Sequence, residues 1–303
     1  MITTNLTGNL GNHMWQYSVC RSVAEKLGYE WGINSSPTHD YHNGMNQMYF
    51  MDVDFGKNPI GDFTDFHERW ISYKHVDDVN ITLLDPRVYE VRDNTRLIGH
   101  NGAFGGIYQC EDYIIERKNE IYDWFKIKEN YQSRYLEEIN NLGFNIDEDL
   151  CVINFRGGEY VGLSNVILRR EYWRDAINSM LLVNPKMKFL VVTDDVNASK
   201  MYMPFDIPTI HGDIGFDFYV INEARWIIIS NSTFGWWAAW LNKKANKIIA
   251  PKYWARHNVS DGYWATGESY TRGFTYLDRE GLESDYETCK KEALNYYRIK
   301  NII

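Results

Sequence analysis

From residue 148 onward, short apolar runs alternate with helical ones, and no other feature of the sequence constrains its fold as strongly. Leu150–Phe155 (LCVINF), Lys188–Thr193 (KFLVVT), Trp226–Ser230 (WIIIS) and Lys247–Ala250 read as buried strands, and Pro208–His211 as a briefer one. Between them Arg170–Leu182, a short stretch after Asp195, Phe216–Ala224 and Thr233–Leu241 read as helices, and Glu283–Tyr297 predicts a last one. Strands this apolar that alternate with helices imply a parallel sheet covered on both faces.

The N-terminus carries one similar unit. Met1–Leu6 reads as a strand, and Gly8-Asn9-Leu10-Gly11-Asn12 as a glycine loop. Met14, Tyr17, Cys20, Ala24 and Leu27 then recur at spacings of three and four, predicting a helix that Gly28 terminates. Residues 34–105 are weakly periodic and read as short strands and loops. Helices are expected near Glu111–Phe125 and Tyr131–Leu142. Gly143 and the acidic Asp147-Glu148-Asp149 mark a boundary. The expected fold class is therefore α/β with two Rossmann-like domains, 1–147 and 148–282. A C-terminal helix over 283–303 is expected to pack back on the first.

A length of 303 residues accommodates two such domains, and 44% hydrophobic residues supply cores for both. The net charge of −9 speaks against a non-specific nucleic-acid binder. No apolar run is long enough for a transmembrane helix, and the N-terminus lacks a signal-peptide pattern. Cys20, Cys110, Cys151 and Cys289 are scattered and form no CxxC pair, which favours reduced thiols and a cytoplasmic location. Nothing in the sequence specifies an oligomeric state. Aromatic residues reach 16%, and such rings either stack on sugars or fill cores. Trp236 and Trp240 share one helical face and read as core.

Open α/β sheets bind ligands beyond the carboxyl ends of their strands. There the sequence places Arg156, Gly157, Gly158 and Glu159 after one strand and Asp194 and Asp195 after the next. Gly212 and Asp213 follow a third, and Asn231, Ser232 and Thr233 a fourth. A guanidinium fork matches phosphate oxygens, glycines admit close backbone approach, and a helix N-terminus favours anions. Together these suit a nucleoside diphosphate, with Asp217 able to accept from the N–H groups of a guanine. Singly, each has a plainer reading: Arg156 as a surface ion pair, Ser232 or Thr233 as an N-cap. Neither GxGxxG nor GxxxxGK[ST] occurs, which disfavours NAD-dependent and P-loop chemistry. Gly11 and Asn12 could meet a phosphate or sugar, or form only a turn with Asn12 as N-cap. Asp52-Val53-Asp54 and Asp194-Asp195 are the metal candidates; the first lies in an irregular region and Asp195 suits a helix cap, so no metal is expected. His39, His42, His67 and His75 cluster without ligand spacing.

Three ordered blocks resemble a known family. The stretch from Gly8 to Tyr17 (GNLGNHMWQY) is similar to the GGLGNQMFQYA opening of family 11 glycosyltransferases, the α-1,2-fucosyltransferases. Ser230 to Asn242 (SNSTFGWWAAWLN) resembles their SNSTFSWWAAWLN motif. Asn154 to Val161 (NFRGGEYV) looks like a variant of HIRRGDYV, and Thr193-Asp194-Asp195 is similar to their SDD segment. The resemblance implies a GT-B fold with two Rossmann-like domains facing a cleft. It implies a GDP-fucose donor in the C-terminal domain, a glycan acceptor in the N-terminal one, and inverting, metal-independent transfer without a cofactor. The implied donor-binding residues are Gly11, Asn12, Asn154, Arg156, Asp194, Asp217, Ser232 and Thr233. Arg156 would bind the diphosphate, Thr233 the β-phosphate and Asp217 the guanine. The implied catalytic residues are Arg156, Asn12 and Glu159, the last as base or merely as the group that orders its loop. Asn154 replaces the family histidine, Gly157 the second arginine, Glu159 the aspartate and His13 a glutamine. These departures keep two alternatives open: transfer from another GDP-sugar, and a non-catalytic glycan- or nucleotide-binding protein.

Overall fold

The structure is a computed structural model that describes residues 1–34, 46–68, 71–72, 80–81, 84–98, 108–146, 149–254, 257 and 270–299. The chain forms two compact units, with Met1–Lys126 the body of one and Ile127–Ala265 with Tyr270–Tyr296 that of the other.

In the first unit β1 (Ile2–Asn5) runs through Gly8, whose φ of +81° favours glycine, into α1 (Leu10–Leu27). The helix stops where the sequence places Gly28, at φ 72°. Tyr29 N–H then closes back on Ala24 O at 2.9 Å in a Schellman turn. β2 (Trp31–Asn34), β3 (Thr64–His67) and β6 (Thr95–Ile98) join β1 in the order β2-β1-β6-β3, every pair parallel. Between them β4 (Ile71–Ser72) and β5 (Asn80–Ile81) make a small antiparallel ribbon. The helix expected over Glu111–Phe125 is broken: Ile114 leaves the helical region at φ −128°, giving two 3₁₀ turns followed by α2 (Lys118–Trp124).

Where the sequence placed the boundary near residues 143–149, the compact units part after Lys126. The reason is α3 (Glu129–Asn141), which packs on a helix of the second unit, α6 below. Tyr135 lies against the rings of Phe216 and Tyr219, and Arg134 Nη2 and Tyr135 Oη reach Asp213 at 2.5 and 3.0 Å.

The second unit follows the alternation read from the sequence. Its elements are β7 (Leu150–Phe155), α4 (Arg170–Val183), β8 (Lys188–Thr193), α5 (Val196–Tyr202), β9 (Thr209–Ile210) and α6 (Ile214–Glu223). After them come β10 (Trp226–Ile229), α7 (Thr233–Trp240), β11 (Lys247–Pro251), β12 (Thr275–Leu277), β13 (Glu283–Ser284) and α8 (Tyr286–Ile299). The sheet order is β13-β12-β11-β10-β7-β8-β9, parallel throughout except for β13. β7 is buried along its whole length, and one core cluster joins it to β8, α4 and α5. The tryptophans of α7 are core: Trp236 and Trp240 stack at 5.4 Å, and Trp236 Nε1 donates to Thr271 Oγ1 at 2.7 Å.

Two helix starts differ from expectation because aspartates cap them. α6 begins at Ile214, since Asp213 Oδ1 accepts from Phe216 N–H at 2.8 Å. α8 begins at Tyr286, since Asp285 Oδ1 accepts from Thr288 N–H at 2.8 Å, which leaves Glu283–Ser284 to pair with β12. Through Tyr296, α8 groups with the second unit, and its last residues, 297–299, group with the first; residues 300–303 lie outside the described residues. All four cysteines are buried and free. No helix among the described residues is long and apolar enough to cross a membrane.

Candidate functional site

The carboxyl edge of the seven-stranded sheet gathers the polar groups of the second unit. Arg156, the first residue beyond β7, forms ion pairs with Asp194 beyond β8 and with Glu159 in its own loop, the latter at 3.2 Å. Asp194 also accepts from Gly157 N–H at 2.8 Å, so one carboxylate clamps both guanidinium and loop backbone. Both loop glycines are needed. Gly158 sits at φ +44° with space for a Cβ only 2.8 Å from Asp194 Oδ2, and a Cβ on Gly157 would stand 2.6 Å from that of Asp195. Glu159 is exposed and its carboxylate faces Arg156.

Beyond β10 the SNST run divides its work between structure and surface. Asn231 Nδ2 donates to the carbonyls of Val166 and Trp254 at 2.9 and 2.6 Å, which pins the loop. Ser230 Oγ donates to Asn154 Oδ1 at 3.0 Å, and the buried Asn154 lies directly against Gly235 of α7. Ser232 is the N-cap of α7 and Thr233 its first residue. Asp195 and Asp213 cap α5 and α6 through their side chains, whereas Ser232 makes no side-chain cap bond.

Beyond β9 a third group assembles. Asp217, in α6, accepts from Gly212 N–H through Oδ1 at 2.8 Å and meets His211 Nδ1 through Oδ2 at 3.1 Å. Burial pushes the Asp217 carboxyl up to about 6, against the opposing pull of the Gly212 N–H and His211.

The structure thus brings Asn154, Arg156, Glu159, Asp194, Asp217, Ser232 and Thr233 to one edge of one sheet. Gly11 and Asn12 belong to the first unit. They lie inside the first turn of α1, whose N-cap is Asn9 and not Asn12. Asn12 Oδ1 accepts from Gln109 Nε2 at 3.1 Å, and a Cβ on Gly8 would come within 2.4 Å of Asn12 Nδ2. Asp54 Oδ1 accepts from Gly56 N–H at 2.8 Å in a local turn. Among the described residues no three His, Cys, Asp or Glu side chains are grouped to hold a metal ion. His39, His42 and His75 lie outside the described residues, and His67 is exposed at the end of β3.

Two features had no sequence signal. His211 meets Asp217 across a strand-to-helix turn, a spacing of six that no periodicity marks. Glu68, just beyond β3, is buried and accepts from Tyr108 N–H at 3.0 Å and Tyr113 Oη at 2.8 Å. Its desolvation pushes the carboxyl up to about 8.

Comparison with known proteins identifies the family. A family model described as glycosyl transferase family 11 matches residues 102–277, more than half of the chain. An α-1,2-colitosyltransferase of Escherichia coli is 24% identical over 294 residues, covering 90% of this chain and 98% of the relative. The O-antigen biosynthesis glycosyltransferase WbnK of Escherichia coli is 22% identical, covering 84% and 94%. Among solved structures, the fucosyltransferase NodZ from Bradyrhizobium aligns with a TM-score of 0.49 and 12% identity, covering 82% of this chain and 94% of that one.

Proposed function

We propose that this chain, which belongs to glycosyl transferase family 11, transfers L-fucose from GDP-fucose to a hydroxyl of a glycan acceptor, forming an α-1,2 linkage. Arg156 carries the reading: its guanidinium follows β7, beside the strand whose loop opens α7 at Ser232 and Thr233. An acceptor hydroxyl attacks the anomeric carbon from the face opposite the leaving GDP, so the configuration inverts. Two charges must be managed. The departing diphosphate is neutralised by Arg156 and by the first-turn N–H groups of α7. A guanidinium in this place does what a divalent cation does in other transferases, so we infer metal-independent transfer without a cofactor. The proton on the attacking oxygen needs an acceptor, for which Glu159 is the candidate in the Arg156 loop. We place the acceptor with the first unit, which carries Gly11 and Asn12 in the first turn of α1.

The test is thermal unfolding with GDP, UDP, ADP and CMP in the presence of a chelator. GDP at a hundred times its dissociation constant adds about 2.7 kcal/mol, and GDP alone is expected to shift the transition. A shift only with UDP and metal would sink the donor assignment. A second reading is favoured by a specific observation: a relative over nearly the whole chain is named as a colitosyltransferase, while Asn154 and Gly157 depart from the fucosyltransferase pattern. Turnover measured across a panel of GDP-sugars separates fucose from another donor sugar.

A further inference from the structure

The sequence points to Asp217 as the carboxylate that accepts from a guanine. In the structure both of its oxygens are engaged within the fold, by Gly212 N–H and by His211. The Asp217 side chain is 9% exposed, whereas that of His211 is 51% exposed. A carboxylate on one imidazole nitrogen fixes the tautomer: the proton stays on Nδ1, and Nε2 keeps its lone pair as an acceptor.

The position of this pair along the sheet edge gives it a role. Arg156 follows β7 and α7 opens after β10, and these two strands are neighbours. The attraction for phosphate therefore lies on the β10–β7 side. On the other side, Asp194 beyond β8 and Asp213 beyond β9 are already ion-paired, with Arg156 and Arg134, while Asp195 and Asp217 add carboxylates that repel phosphate. From β7 to β9 is two strand spacings, about 10 Å, comparable to the reach from a nucleotide's phosphates to the far edge of its base.

We propose that His211 reads the nucleobase of the donor, its Nε2 accepting from an N–H on the Watson–Crick edge of guanine, and that Asp217 is a positioning residue acting through His211. The proposal rests on the GDP-sugar reading above and says which residue recognises the base. Guanine offers two adjacent N–H donors on that edge, whereas uracil offers one between two carbonyls, so an acceptor at His211 favours GDP.

The test is isothermal titration of the full chain with GDP and, separately, with inorganic pyrophosphate. Replacing His211 by Phe keeps a flat ring and removes the acceptor. GDP affinity is expected to fall roughly tenfold, the scale of one lost hydrogen bond, with pyrophosphate affinity unchanged. Replacing His211 by Gln supplies an amide oxygen near the place of Nε2 and should restore most of the loss. Asp217→Asn should weaken GDP binding in the His211 protein, and by less than twofold once His211 is Gln. Equal GDP affinity in wild type and His211→Phe would overturn the proposal, as would an Asp217→Asn loss of the same size in both backgrounds. Pyrophosphate affinity falling in step with that for GDP would also overturn it, because that marks general damage to the edge. A wild-type protein that binds pyrophosphate but not GDP would overturn the donor reading itself.

Discussion

Arg156 sits between two carboxylates that are not equivalent. Asp194 holds the guanidinium and the Gly157 N–H together, whereas Glu159 is 70% exposed and touches one guanidinium nitrogen at 3.2 Å. Exposed pairs of the second kind contribute about 0–1 kcal/mol. Two predictions belong to this scale. Arg156→Ala should lower kcat/KM about 100-fold or more, the usual effect of removing a fixed donor from developing negative charge; near-normal turnover would remove Arg156 from the mechanism. Glu159→Gln should lower kcat less than about tenfold if Glu159 only orders Arg156, because loss of a general base costs about 100-fold or more. Steady-state kinetics with GDP-fucose decide both. Arg156, Ser232 and Thr233 were legible in the sequence because each ends a recognisable strand or opens a recognisable helix. His211 was not, because its meaning comes from the turn that folds it onto Asp217.

At the scale of elements, α7 and β7 depend on a contact that only a glycine permits. A Cβ on Gly235 would stand 2.1 Å from Asn154 Oδ1, and that oxygen is itself held by Ser230 Oγ. Gly235→Ala should therefore destabilise the second unit by about 1–3 kcal/mol, the usual cost of overpacking a core. Adding Asn154→Ala should recover part of the loss, a coupling that denaturant unfolding of the single and double variants measures. This contact also gives Asn154 a structural task at a position where the resemblance alone implies donor binding. From β7 to β11 the elements of the second unit could be read from the sequence to within a residue or two, because β7, β8 and β10 are apolar runs with helices between them; β12 and β13 were not read. In the first unit β1 and α1 were equally legible, but the later strands were not. β3 (TDFH) and β6 (TRLI) are four residues each and mix polar with apolar positions, so only their pairing across the sheet makes them strands.

For the whole molecule, buried carboxyl groups set how stability varies with pH. Glu68 has a folded value of about 8 against an ordinary 4.5, so the folded state holds its proton more tightly than the unfolded state. Its stabilising contribution is complete below about pH 4.5 and is lost as pH rises toward 8. Asp217, raised from 3.8 to about 6, acts in the same direction over a lower window. Glu68→Gln keeps an acceptor for Tyr108 N–H and Tyr113 Oη but cannot ionise. Its Tm should match wild type near pH 5 and exceed it by several degrees at pH 8, at about 2–4 °C per kcal/mol. Equal midpoints at both pH values would contradict the assignment. The compact units part after Lys126 because α3 follows the first unit in sequence but buries Tyr135 on α6.

The seven-stranded sheet ends on both sides in strands of only two residues, β13 and β9. Unpaired backbone at a sheet margin is a template on which a foreign chain can add itself. Here the long, apolar strands lie in the interior of the order, and the rims offer almost no ladder to extend. The chain can therefore carry segments such as WIIIS and KFLVVT, which would pair avidly if exposed, and still resist ribbon-like polymerisation while it remains folded.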